Sequence, residues 1–162
     1  MAAAFHLAQI NVARLKAPID HPTIADFVAA LEPVNALADA SPGFVWRLTG
    51  EAGDATDIRP FDDPDMLVNM SVWETLDALA GFVYRQPVHR GIMRRRNEFF
   101  TRPEVFMALW WVPARHRPTV AEGLSRLETL RREGPTSQAF TFRDAHPAPG
   151  ENTAQLVLDE CA

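Results

Sequence analysis

The sequence is poor in most of the features that announce a function. A single cysteine, Cys161, stands among 162 residues, so no intramolecular disulfide forms and no Cys/His metal set can be assembled. The longest apolar run, Val105 to Val112 (VFMALWWV), falls far short of the roughly 20 residues a membrane helix requires. The opening MAAAFHLAQINVAR carries no basic segment ahead of its apolar stretch, which His6, Gln9 and Asn11 interrupt. It does not read as a secretory signal, and a cytoplasmic protein is expected. Positive charge is not in excess: the net charge is −5, and the basic residues fall mostly in two short clusters, which gives no electrostatic reason to bind nucleic acid. The glycines never take the GxGxxG or GxxxxGK(S/T) order of a nucleotide loop. Asp62, Asp63 and Asp65 lack the glycine and terminal glutamate of a calcium loop and read as a solvated loop, so no metal site is expected. Neither an internal repeat nor a second domain is expected; residues 1–145 read as one domain and 146–162 as a loosely held tail.

What remains is an ordinary globular balance of 47% apolar and 23% charged residues, enough for one buried core. Phe5 to Arg14 alternates as a strand, with Gln9 and Asn11 beside Phe5, Leu7 and Ala13 on one face. A buried, unpaired amide costs about 1–3 kcal/mol, so these two either line a polar pocket or bond each other. Thr23 to Ala40 reads as a helix with Ile24, Phe27, Val28, Leu31, Val34 and Ala38 inward. Thr23 and Asp26 form a weak capping box, and Pro33 predicts a kink or a break into two segments. Phe44 to Thr49 and Met66 to Trp73 are the next strands, joined by a polar surface loop. On the second of them, Asn69 and Ser71 lie between Leu67 and Trp73 on one face. Glu104 to Val112 is apolar on both faces and calls for burial on both, within the chain or against a partner. Thr119 to Glu133 is an amphipathic helix capped by Thr119, and Ala139 to Arg143 a last short strand.

The richest stretch is Phe82 to Phe100, FVYRQPVHRGIMRRRNEFF. A helix begun by Leu76, Leu79, Ala80 and Val83 is stopped by Pro87, which suits the first turn of a second helix because its missing N–H is unpaired there anyway. At helical spacing His89, Met93, Arg96 and Phe100 share one stripe, which places an imidazole on an otherwise apolar face turned to the protein. Arg96 on that stripe is placed to pair with Glu98, with Glu104 or with an acidic substrate.

Strand, helix, strand, strand, helices, strand is the order of a split βαβ unit, giving an α+β, ferredoxin-like antiparallel sheet with helices on one face. The second face of such a sheet is bare, and the strands here are apolar on both faces. A partner sheet is therefore expected to cover it in a two-fold homodimer. The segments LAQINVARLKAP, SPGFVWRL, MSVWETLDAL, FVYRQPVHRGIMRRRNEFF, VFMALWWVPARHRPTVAEGLSRL and AFTF resemble the bacterial DUF3291 family across most of the chain. The resemblance implies the dimeric α/β-barrel superfamily, whose members include cofactor-free quinone-forming monooxygenases, heme-degrading monooxygenases and polyketide-tailoring cyclases.

The expected pocket lies between the sheet and its helices, with Asn11, Trp46, Asn69, Trp73 and Arg96 binding substrate beside Tyr84, Arg85 and His89 as the acid/base group. The plainer reading makes the tryptophans core and His89 a satisfied structural histidine. Three functions fit. One is a cofactor-independent enzyme for an aromatic or polyketide-like small molecule, a monooxygenase, isomerase or cyclase, in which His89 or Tyr84 takes a proton and Asn11, Asn69 or Arg85 steadies the enolate. A second, which the resemblance implies through Asn11, Trp73 and His89, is heme binding or degradation with His89 as proximal ligand. The third is a non-catalytic dimer that binds a small apolar ligand.

Overall fold

Period-two alternation makes Phe5–Leu15 a strand, β1, and the rest of the sheet is hung on it. A computed structural model describes residues 4–151; Cys161 and the remainder of 152–162 lie outside the described residues. β1 pairs antiparallel with β3 (Met66–Trp73), setting Leu7 against Trp73, Gln9 against Ser71 and Asn11 against Asn69. β3 pairs on its far side with β2 (Phe44–Arg47), where the register shifts between Phe44 and Trp46. The other edge of β1 takes two short partners: β4 (Phe100–Thr101) opposite Arg14 and Leu15, and β5 (Met107–Pro113) opposite Phe5 to Asn11. The spatial order β2-β3-β1-β5, antiparallel throughout, is the ferredoxin-like sheet expected from the element order.

One face of the sheet receives α1 (Ala25–Asp39) and a chain of short helices, α2 (Leu76–Ala80), α3 (Pro87–Arg94) and α4 (Arg96–Phe99). The α2–α3 connection is a wide π-helical turn, Gly81–Arg85. At its ends this face is sealed by two apolar clusters: Leu7, Trp73, Leu76, Leu79, Leu109 and Phe140 at one, Leu15, Ile24, Leu67 and Phe99 at the other. Between them the sheet and helices stand apart.

The second face departs from expectation. It is not bare: Ala8, Ile10, Met70, Val72, Ala108, Trp110 and Val112 are buried by α5 (Val120–Glu133), with Ile58 and Phe61 of the 50–65 connection packed alongside. The strands are buried on both faces within one chain, so the reason for a homodimer through the sheet face is removed. Gly123 of α5 sits close on this face, where an added Cβ would stand 2.8 Å from Ile10 Cδ1 and make that side chain shift.

Other differences are local. α1 runs unbroken through Pro33; Pro33 and Ala29, whose carbonyl loses its partner, both lie on the exposed side, where water replaces the lost bond. Thr23 does not cap α1: the helix follows directly on a 3-10 turn, Pro22–Ile24, which the His21 ring caps by accepting from the Thr23 N–H, and α1 itself has no side-chain cap. Of the α1 stripe and its lead-in only Ile24 and Ala38 are buried, and Val28 is exposed. The helix expected over Pro87 to Phe100 is interrupted at Arg95 and ends in β4. The expected last strand is reduced to a bridge between Phe140 and Leu109. The start of the expected tail is fixed: the Trp111 indole N–H donates to the His146 carbonyl at 2.8 Å, and Ala148 is buried. Thr119 caps α5 as the sequence indicates, accepting from the Glu122 N–H.

Candidate functional site

The gap between sheet and helices is a cavity of about 650 Å³, within the range of small-molecule sites. Its floor comes from the polar face of β1 and β3, its roof from Phe27, Leu31 and Val34 of α1, and one wall from His89, Met93 and Arg96. The incomplete burial of α1 is the signature of this space: its apolar stripe looks into the cavity instead of resting on strands.

The floor is a closed amide network. Gln9 Nε2 donates to Asn69 Oδ1 at 2.7 Å and to Ser71 Oγ at 2.8 Å, and Asn11 Nδ2 donates to Gln9 Oε1 at 3.1 Å. Asn11 therefore both bonds its neighbour and lines the cavity, so the two options read for the strand amides are one arrangement. The Trp73 indole N–H donates to the same Ser71 Oγ at 2.9 Å. Two donors occupy the lone pairs of Ser71, so its own O–H is left to donate. Asn69 spends its carbonyl on Gln9 and keeps its NH2 for the cavity; it is the one exposed residue in the middle of β3. A ligand oxygen laid on this floor meets N–H and O–H donors already held in place, which is how developing negative charge is stabilised without reorganisation.

His89 is set by two local devices. Gln86 caps α3, its side chain accepting from the His89 N–H at 2.8 Å, with Pro87 in the first turn. In a continuous α-helix the carbonyl of Val83 would accept from residue 87, but proline has no N–H to give. The freed Val83 carbonyl instead lies 3.1 Å from His89 Nδ1. A carbonyl only accepts, so Nδ1 carries the hydrogen and Nε2 of the neutral ring keeps its lone pair. Burial against Phe82, 4.8 Å away between ring centroids, pushes the imidazole pKa below its usual 6.5, and the Val83 bond opposes this only in part. The ring is thus a neutral base on a cavity wall.

The remaining expected site residues divide. Tyr84 reaches the cavity rim, half exposed, with its ring edge against Phe142 at 5.3 Å; burial raises its pKa, so at neutral pH it is a phenol that donates and not a base. Arg96 lines the cavity and pairs with neither Glu98 nor Glu104: its Nη1 donates to the Met93 carbonyl at 2.8 Å, and its Nε is buried without a partner. Glu98 is taken by Arg95. Arg85 lies outside the cavity in an exposed pair with Asp77 at 3.4 Å. Trp46 is also misplaced by the sequence reading, because the register shift in β2 sets it opposite Val72 on the α5 face. Trp73 lines the cavity as expected but is packed into its end, 1% exposed, stacked on Phe82 and edged by Phe44, each at 5.4 Å. Sequence reasoning missed Ser71 and Arg102. Ser71 was marked by its place on the Asn69 face of β3; Arg102, in an irregular segment after β4, carried no signal.

These placements test the heme reading. It draws on Asn11, Trp73 and His89, and all three line the one cavity, Trp73 almost fully packed at 1% exposure and Asn11 donating to Gln9. Of the three only His89 has an open ligating atom, and it would be the axial ligand in that reading. Among the described residues no three His, Cys, Asp or Glu side chains gather as a metal site, and no helix is long and apolar enough to cross a membrane.

Fold and site together define an α+β ferredoxin-like protein with an amide-floored apolar cavity and one neutral histidine on its wall. The chain belongs to the family described as Domain of unknown function (DUF3291), which matches residues 6–156. No protein of curated function matches it. Among solved structures it is similar to SnoaB, a cofactor-independent oxygenase from Streptomyces nogalater, at 21% identity and a TM-score of 0.46, covering 73% of this chain and 98% of that one. It is similar also to a protein from Pseudomonas aeruginosa at 12% identity and TM-score 0.47, covering 74% and 99% of the two chains. A protein of unknown function from Nitrosomonas europaea matches at 15% and 0.44, covering 72% and 95%. The fold assignment rests on the strand order of the chain itself.

Proposed function

We propose that the cavity is the active site of a small enzyme that removes a proton from an aromatic or polyketide-like molecule with its own side chains. The observation that carries this is the His89–Val83 bond, which leaves Nε2 basic and turned to no protein partner. The substrate's acidic C–H or phenolic O–H gives its proton to Nε2, and the electron pair moves onto the substrate oxygen, where the Asn69 NH2 and the Ser71 hydroxyl receive it. The resulting enolate or phenolate is the species common to oxygenation by dioxygen, isomerisation and cyclisation, and the proposal covers the proton transfer they share.

The test is hydrogen–deuterium exchange at the acidic C–H of anthrone and 2-tetralone in heavy water, followed by NMR. Wild-type protein is expected to accelerate exchange over buffer, and His89→Gln to return it to the buffer rate. Exchange no faster than buffer with wild type, or acceleration unchanged in His89→Gln, overturns the proposal and leaves a ligand-binding module.

A further inference from the structure

The cavity wall carries positive charge in excess, four unpaired arginines against the one carboxylate of Asp54. Arg47 lines the cavity but is paired with Asp39 at 2.8 Å, and Asp54 is occupied by its own Thr56. Arg90, Arg94, Arg96 and Arg102 also line it, and none of these four is paired with a carboxylate among the described residues. Arg95, between them in sequence, turns outward and takes both Asp26 and Glu98. Of the four unpaired arginines, Arg90, Arg94 and Arg102 are exposed at the rim and Arg96 alone is half-buried.

Arg96 is the innermost of the four in its chemistry. Its Nη1 is spent on the Met93 carbonyl, yet its Nε is buried with no hydrogen-bond partner, and an unmet donor of a charged group is costly. Arg102, at the mouth, lays its guanidinium over the Phe106 ring at 4.2 Å, which holds it in place as a second cation. The two charges are close enough that Arg96, after burial, lowers the Arg102 pKa. Two like charges held near each other in a half-apolar wall are stabilised by an anion between them.

We infer that the Arg96–Arg102 end of the cavity binds the carboxylate of an aromatic acid whose ring system extends along the apolar wall toward His89. A guanidinium edge matches the two oxygens of a planar carboxylate, and the rest of the cavity is apolar side chains and neutral amides, which suit a body of uncharged rings. Length follows from the helix. His89 and Arg96 stand seven residues apart in α3 and at the start of α4, on the order of 10 Å if helical rise is kept across the interruption at Arg95, which sets a body of about two aromatic rings between the acid group and the atom that loses its proton. This rests on the proposed proton transfer for the role of the far end, but not for the anion site, which is a matter of binding.

The experiment measures binding by isothermal titration with three probes of one shape: 4′-hydroxybiphenyl-4-carboxylate, its primary carboxamide, and the corresponding aryl phosphate. Wild-type protein is expected to bind the carboxylate about ten- to a hundredfold more tightly than the amide, the span of a charged hydrogen-bonded contact. That preference should weaken with added KCl and disappear in Arg96→Gln, while Arg96→Lys, charged but without the planar fork, keeps part of it. Equal affinity for acid and amide, a preference that survives in Arg96→Gln, or tighter binding of the phosphate than of the carboxylate each overturns the assignment. The wild-type acid-to-amide ratio and its salt dependence decide the matter even if a variant does not fold. A failed exchange assay with an intact acid preference removes the enzyme and keeps the anion site; the reverse outcome removes the anion site alone.

Discussion

His89 Nδ1 is held 3.1 Å from the carbonyl of Val83, an oxygen left without its helical donor because the residue four positions on is Pro87. One proline thereby ends a helix, starts the next and fixes the tautomer of the only histidine on the cavity wall.

Removing the ring should remove proton transfer and little else. His89→Ala is expected to lower turnover of any enolisable substrate by about two to four orders of magnitude, the usual contribution of a positioned base. Affinity for a non-reacting ligand should stay within a few fold. Paired turnover and calorimetric measurements check this.

The direction of the His89 shift sets the pH profile. Burial lowers its pKa below 6.5, so the basic form persists into mildly acidic solution, and the acid limb of kcat/KM should fall at an apparent pKa below 6.5. The same depressed pKa makes the unfolded chain bind more protons than the folded one. The stability it contributes is therefore complete above the unfolded value and is lost as pH falls through the folded value. Chemical denaturation across pH 5 to 8, with His89→Gln as the flat reference at this site, checks the sign.

Ser71 accepts from the Trp73 indole N–H, which has no other acceptor, and from Gln9 Nε2, which also donates to Asn69. Ser71→Ala should destabilise the protein by about 1–3 kcal/mol, the cost of leaving a buried donor unmet. It should also loosen the Asn69 amide. Urea denaturation and the tryptophan emission maximum report the two effects.

Gly123 marks the closest approach of α5 to the sheet, with Ile10 Cδ1 at 2.8 Å and Met70 Cε at 3.1 Å from an added Cβ. Gly123→Leu should cost about 1–3 kcal/mol by overpacking without changing cavity binding, because α5 lies on the opposite face. Thermal denaturation together with ligand titration separates the two.

Much of this architecture was legible in the chain itself. Alternation located β1 and β3, and the same alternation put Gln9, Asn11, Asn69 and Ser71 on one face, because side-chain direction in a strand depends only on parity. Helical spacing put His89, Met93 and Arg96 together, and all three line the cavity despite the interruption at Arg95. Parity failed for Trp46, where the shifted register in β2 reverses the face, and a bulge leaves no mark in an apolar pattern. Arg85 failed because, at the end of the π-helical turn, it pairs with Asp77 on the exposed side, and a neighbouring position in sequence does not say which way a side chain faces. The covering of the second sheet face was missed although α5 itself was recognised, since amphipathicity says that a helix packs but not on what.

The wide turn at Gly81–Arg85 makes chain length, more than residue identity, the quantity that aims the imidazole. Exchanging one side chain for another there leaves the frame intact. Excising one residue would swing everything after it by about 100° and carry the base from the hollow into bulk solvent, so a gap in this short segment should cost more than a substitution at its exposed Arg85.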